Sequence, residues 1–150
     1  SIAVGEERSR GAEIGFTTDF RNGLSLTGGY AYTQAIIADD GGQSPSTDGQ
    51  RINNVPRHSA TLFARYLLPG HWSHWQINGG LRGQSKQYTY GYDLAGYFVA
   101  DAGIAYEAAH WRAAFNIRNL LNQHYFAGGL RAAVATGDDR NAMFTFGLRL

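Results

Sequence analysis

The residues of this 150-residue chain best suited to chemistry are tyrosines and arginines. Tyr88, Tyr90 and Tyr92 alternate through "QYTYGYDLAGY", and Arg51, Arg57, Tyr125 and Arg131 fall in other loop-like stretches that the order of elements brings to the same rim. Phenol rings stack and hydrogen-bond, and guanidinium groups add fixed charge and planar pairs of donors. Such a set suits a bulky anionic or aromatic ligand at a wet rim. Tyrosines at that height also suit anchoring at a membrane–water interface, and the two readings account for them equally well.

Other chemistry has less support. His71 and His74 sit three apart in a short turn, with His58, His110 and His124 scattered elsewhere. A metal site needs ligands converging from rigid positions, so these histidines are expected to be polar turn residues rather than ligands. The carboxylates of "ADDGG" and "TGDDRN" are of a kind that binds calcium, yet read as solvated loop tips. There is no cysteine, no nucleophile elbow, no phosphate-binding glycine loop and no dinucleotide fingerprint. Neither an enzyme nor a cofactor is expected. The 13 basic and 12 acidic side chains are spread along the chain, without the basic stripe that tracks a phosphate backbone, so nucleic acid is not an expected partner.

The elements that position these residues follow from the pattern. Twenty glycines, nine tyrosines, eight phenylalanines and three prolines favour strands and turns. Seven segments alternate with a period of two. Their apolar sides run Ala12, Ile14, Phe16 and Phe20; Leu24, Leu26, Tyr30 and Tyr32; Ala60, Leu62, Ala64, Tyr66 and Leu68; Trp75, Ile77, Gly79 and Leu81; Phe98, Ala100, Ala102, Ile104 and Tyr106; Trp111, Ala113, Phe115 and Ile117; and Ala142, Phe144, Phe146, Leu148 and Leu150. The opposite sides carry Glu13, Thr17, Asp19, Ser25, Thr61, Arg65, Asn78, Arg82, Gln84, Lys86, Asp101, Arg112, Asn116, Arg118 and Arg149. The charged residues among them either line a ligand passage or pair across neighbouring strands or onto a plug, and near the short turns the pairing role is expected. Connections are short at 21–23, 69–74 and 107–110, and longer at 38–57, 88–96 and 127–140, which predicts an all-β, antiparallel up-and-down meander with short turns at one end.

Alternation does not say which face meets lipid, but three features favour the apolar one. The polar face is mostly Thr, Ser, Asn, Gln and Arg with a single lysine, as in a hydrated lumen. Aromatics gather at two levels, near the short turns and near the long loops. Short turns share one end and long loops the other, as periplasmic turns and extracellular loops do. No apolar run reaches the roughly 18 residues of a membrane helix, and "SIAVGEERSRG" lacks the apolar core of a signal peptide, so an export signal is expected outside this chain.

In this order, "GEERSRGAEIGF", "GLSLTGGYAYTQAII", "NVPRHSATLFARY", "LAGYFVADAGIAYE" and "WRAAFNIRNLLNQHYF", followed by a terminal alternating strand, resemble the C-terminal part of TonB-dependent siderophore receptors. The resemblance takes in nearly the whole chain. It implies a transmembrane β-meander of about seven strands within a barrel of about 22, in the Gram-negative outer membrane, with the plug and earlier strands lying outside residues 1–150. It also implies transport of a ferric siderophore or similar metal chelate, with outer-membrane lipid as the surroundings and the TonB complex reached only through a plug. Leu150 departs from the aromatic residue that usually ends such barrels. The alternatives are a small self-contained outer-membrane barrel with a structural or adhesive role, and a soluble ligand-binding β-barrel.

Overall fold

Strand pairing across the chain follows the alternation register by register in a computed structural model that describes residues 5–149. The strands are β1 (Glu6–Asp19), β2 (Leu24–Asp39), β3 (His58–Leu67), β4 (Trp75–Gln84), β5 (Gln87–Thr89), β6 (Tyr92–Leu94), β7 (Tyr97–Glu107), β8 (Trp111–Arg118), β9 (Phe126–Leu130), β10 (Ala133–Thr136) and β11 (Asn141–Leu148). Seven of them form one antiparallel sheet in the order β1-β2-β3-β4-β7-β8-β11, while β5 pairs with β6 and β9 with β10 in two small hairpins. The expected ends of the seventh strand and of the N-terminal stretch, Leu150 and residues 1–4, lie outside the described residues.

One register row shows why the sheet has two distinct sides. Phe16 lies opposite Gly28, Gly28 opposite Leu62, Leu62 opposite Leu81, and Leu81 opposite Ala100. One residue over, Thr17, Thr27, Phe63, Gly80 and Asp101 form the neighbouring row on the other face. Because the side-chain period is two, a slip of one residue would turn every apolar side chain to the polar side, so pattern and pairing enforce each other. The apolar side stays open: Ile14 is 69% exposed, Phe115 41% and Leu148 71%. A sheet whose apolar face stays this accessible is built to meet lipid rather than a protein core.

The short turns follow local chemistry. Between β1 and β2, Gly23 takes φ 88°, Phe20 N donates to Leu24 O at 2.7 Å and Leu24 N to Asn22 Oδ1 at 3.2 Å. Between β3 and β4, a single 3-10 turn covers Gly70–Trp72. Above these turns an aromatic row crosses four neighbouring strands: Trp75 meets Tyr106 edge-on at 5.0 Å, Tyr106 stacks on Trp111 at 5.0 Å, and Trp111 on Phe146 at 6.0 Å. At the opposite level Tyr30 Oη and His58 Nδ1 are hydrogen-bonded at 2.7 Å, beside Tyr32. Two aromatic levels on the lipid-facing side are the interfacial girdles of a membrane barrel.

Several boundaries differ from the alternation reading. β2 runs 16 residues to Asp39, well past the 9–11 that cross a bilayer, so the first long loop starts later than expected. Beyond the start of β3, the far edge of β2 is paired by the returning loop: Thr33 N donates to Arg57 O, Ile52 N to Ala35 O and Ile37 N to Gln50 O, at 2.9 to 3.2 Å. Backbone groups at an open edge demand partners, and the loop supplies them. Lys86, expected on the polar face of the fourth strand, lies past its end and donates to Asp93 Oδ2 at 2.7 Å. The stretches expected as loops at 88–96 and 127–140 contain the two small hairpins. The buried residues cluster among these connections as well as on the polar face, with Leu94, Gln87, Thr89, Asp40 and Asn119 nearly inaccessible.

Candidate functional site

The long loops stand at one end of the sheet and fold onto one another. The β5–β6 hairpin turns at Tyr90 (φ 40°) and Gly91 (φ 99°), a pair of positive φ values that matches the twist of a two-residue hairpin. The β9–β10 hairpin turns at Arg131, and residues 47–53 return along β2. Between these three segments lies a hollow of about 370 Å³ lined by Ile37, Thr47, Gln50, Arg51, Asn53, Tyr88, Tyr90, Gly91 and Arg131.

Of the seven side chains singled out from the sequence, Arg51, Tyr88, Tyr90 and Arg131 line this hollow. Arg51 Nη1 lies 4.0 Å from Asp93 Oδ1, but the closer partner of that carboxylate is Lys86. The Lys86 hydrogen bond also holds the Asp93 carboxyl below the usual range. Arg51 is therefore steered by a carboxylate without being neutralised in close contact, and its donors stay available toward the hollow.

The other three are placed differently. Tyr92 Oη donates to Leu130 O at 3.1 Å, tying the two hairpins together. Tyr125 packs against Tyr97 with centroids 4.2 Å apart and accepts from Arg82 Nη2 at 3.4 Å, so it belongs to the polar wall of the sheet. Arg57 is exposed at the β2 edge and contributes its carbonyl to Thr33 N, outside the hollow.

Below the hollow a second polar cluster closes the sheet's upper wall. Arg82 Nη1 donates to Asp101 Oδ2 at 3.3 Å, and the other oxygen, Oδ1, accepts from Asn119 N at 2.8 Å. Asn119, 1% exposed, donates through Nδ2 to Gln123 O and Asp138 O, both at 2.9 Å, and accepts from Gln123 N at 2.8 Å. A buried amide with every group engaged fixes the exit of β8 and the approach to β11. Among the other charges on this face, Arg65 donates to Ser25 Oγ at 3.2 Å and Arg149 pairs with Glu107 at 2.9 Å.

The acidic loop tip is organised rather than simply solvated. Asp40 is 4% exposed, and its Oδ1 accepts from Gly42 N at 2.9 Å and Gln43 N at 3.1 Å. Its Oδ2 accepts from Thr47 N at 2.6 Å and Ser46 Oγ at 2.8 Å. These donors, Thr47 first and then Ser46, hold the carboxyl at a pKa of about 2. Asp39, Asp40 and Asp48 are the one carboxylate or histidine trio among the described residues whose ligand atoms converge. Both oxygens of Asp40 are spent on the loop itself, and Asp39 and Asp48 each accept a backbone N–H, so the trio works as a loop brace. His74 Nδ1 is hydrogen-bonded with Glu107 O at 2.9 Å in the short-turn layer.

The sequence reading missed Asn53 and Asn54, which connect the loops, and Asn119. A signal for the first pair was present: adjacent asparagines before Val-Pro suit a turn with positive φ, and Asn54 has φ 61°.

The family described as TonB dependent receptor-like, beta-barrel, matches residues 1–120. A ferric-pyoverdine receptor of Pseudomonas putida is 32% identical over 92% of this chain and 16% of its own length. The metal-pseudopaline receptor CntO of Pseudomonas aeruginosa is 29% identical over 92% of the chain and 20% of its own. The chain thus spans about a fifth or less of the curated relatives named here. Among solved structures, BauA, the ferric preacinetobactin receptor of Acinetobacter baumannii, superposes with a TM-score of 0.85 at 25% identity, covering 98% of this chain and 23% of that one.

Proposed function

We propose, on the premise that this chain belongs to the TonB-dependent receptor β-barrel family of the Gram-negative outer membrane, that it forms barrel wall and extracellular rim of a receptor for a ferric siderophore or similar metal chelate. The family consists of transporters and receptors, not enzymes. The observation that carries the ligand class is the hollow itself. Two guanidinium groups, Arg51 and Arg131, and two phenols, Tyr88 and Tyr90, converge from three separate loop segments at the end of the sheet away from the short turns. A ferric chelate is bulky, often anionic and often aromatic, and these groups supply charge, stacking and hydrogen bonds without closing around it.

In this reading the strands are a passive wall. Their outer face meets lipid, their inner face lines the passage, and uptake is driven by a plug acting through TonB, with the plug and earlier strands supplied by the rest of a longer receptor. Among the described residues the sheet is open, with β1 at one edge and β11 at the other, as a segment of a larger barrel would be.

The test is the combined replacement of Tyr88, Tyr90 and Arg131 by alanine in the full receptor. Losing a few stacking and charge-assisted contacts should weaken equilibrium binding of the ferric chelate by about 1–3 kcal/mol at unchanged receptor abundance. Unaltered affinity in a correctly assembled variant would make the tyrosines interfacial anchors and place recognition elsewhere.

A further inference from the structure

We propose that Asn54 is the positioning residue of this rim, holding the three loop segments as one body so that the hollow keeps its shape before any ligand arrives. The consequence for binding rests on the rim being a chelate site; the coupling of the loops does not.

The geometry centres on one dipeptide. Asn54 Nδ2 donates to Gly129 O at 2.8 Å and Asn54 Oδ1 accepts from Gly129 N at 2.8 Å, so one side-chain amide satisfies both backbone groups of a residue 75 positions away. The Asn54 backbone N–H donates to Tyr88 O at 2.8 Å, and the neighbouring Asn53 Oδ1 accepts from Tyr90 N at 2.7 Å. Residues 53–54 therefore bind the β5–β6 hairpin through Asn53 Oδ1 and the Asn54 backbone N–H, and the β9–β10 hairpin through the Asn54 side-chain amide. Tyr92 Oη on Leu130 O and Gln87 Nε2 on Ala127 O, at 3.1 and 3.3 Å, join the two hairpins directly.

Asparagine meets both requirements of the position. Its φ of 61° lies in the left-handed region, which Asn tolerates better than most side chains. Its amide also offers a donor and an acceptor side by side, matching the N–H and C=O of Gly129. Glycine would satisfy the φ and lose both bonds. Aspartate would keep an acceptor for Gly129 N but set a carboxylate oxygen against Gly129 O. Gly129 is itself constrained: a Cβ there would lie 2.6 Å from Thr89 Cγ2 and 2.8 Å from Thr89 Oγ1. A side chain at 129 would push against Thr89 of β5 and shift the β9 backbone that the Asn54 amide bonds.

Holding the rim assembled favours binding because a site competent only part of the time binds more weakly by that fraction. The experiment uses the complete receptor in detergent with Asn54→Gly, Asn54→Asp and Gly129→Ala, each checked for heat-modifiable, folded barrel. Amide hydrogen exchange is measured without ligand. Equilibrium binding is then titrated with ferric pyoverdine, a ferric tris-catecholate and a ferric tris-hydroxamate.

The expected result is faster exchange spread over residues 88–92 and 127–131 in all three variants, with Ala102 and Phe115 in the sheet unchanged. If loosening leaves the rim competent about a tenth of the time, affinity for the chelate that wild type binds best falls about tenfold. A merely structural role would lower heat resistance without moving affinity. Faster exchange confined to residues 53–55 and Gly129 would overturn the coupling. Loosened loops with unchanged affinity, where the Tyr88/Tyr90/Arg131 variant does lose affinity, would overturn the positioning role while leaving the rim site standing. If wild type binds none of the three chelates, or the triple variant binds as wild type does, the chelate-site reading fails and the exchange pattern alone decides the coupling.

Discussion

Leu62→Arg tests which face of the sheet meets lipid. Leu62 is the fifth residue of β3, four residues from His58 at the upper aromatic level and four from Tyr66 at the lower. That leaves about 13 Å of strand on either side, which places it near the middle of the apolar band. Its row neighbours are Gly28 and Leu81, and the acidic side chains Glu13 and Asp101 project from the opposite face. An arginine at 62 would find no carboxylate in reach, and at mid-depth on the lipid side this should cost about 2–4 kcal/mol. In equilibrium terms the folded fraction relative to unfolded falls about 30- to 700-fold. Thr61→Arg is the matched control one residue away, on the hydrated face opposite Arg82. It adds a like charge across the strand pair and should cost only about 0.2–1 kcal/mol. Denaturant titration of the complete receptor refolded into bilayers reads both. Equal destabilisation by the two variants would refute the assignment of faces.

Three further outcomes follow from other parts of the fold. Asp40 has its folded pKa lowered from 3.8 to about 2, so its bracing of the loop is fully present above about pH 4 and is lost as pH falls toward 2. A spin label at Gln43 should become mobile over that window, and in Asp40→Asn it should be mobile throughout; constant mobility from pH 5 to 2 would contradict the bracing role. A double-mutant cycle on Tyr106→Ala and Trp111→Ala should give a coupling of about 0.5–1.5 kcal/mol for the stacked pair, and zero coupling would reduce the lower girdle to independent anchors. The 150-residue chain expressed alone presents β1 and β11 edges unpaired among the described residues. It should oligomerise or aggregate in detergent, and a compact, protease-resistant monomer on gel filtration would count against an open sheet.

The sequence by itself determined the seven strands, their order and their two faces. Leu62, Leu81 and Phe115 could be assigned to one side, and Thr61, Arg82 and Asp101 to the other, because the side-chain period of an extended backbone is fixed at two and needs no knowledge of what lies across the sheet. The same periodicity set strand ends to within a few residues wherever Gly23 or Pro69-Gly70 punctuated it. Only the tertiary structure decided what the loops do. Nothing local to "NNVP" says that Asn54 will meet Gly129, that Asp40 will gather four donors, or that Asn119 will join Asp101 to Asp138. It also separated Tyr88 and Tyr90, which share the hollow with Arg51, from Tyr125, which the Arg82 guanidinium draws onto the sheet wall. Alternation is a property of each strand alone, whereas a loop's shape is set by polar groups that find one another across long stretches of chain once the sheet has brought them together.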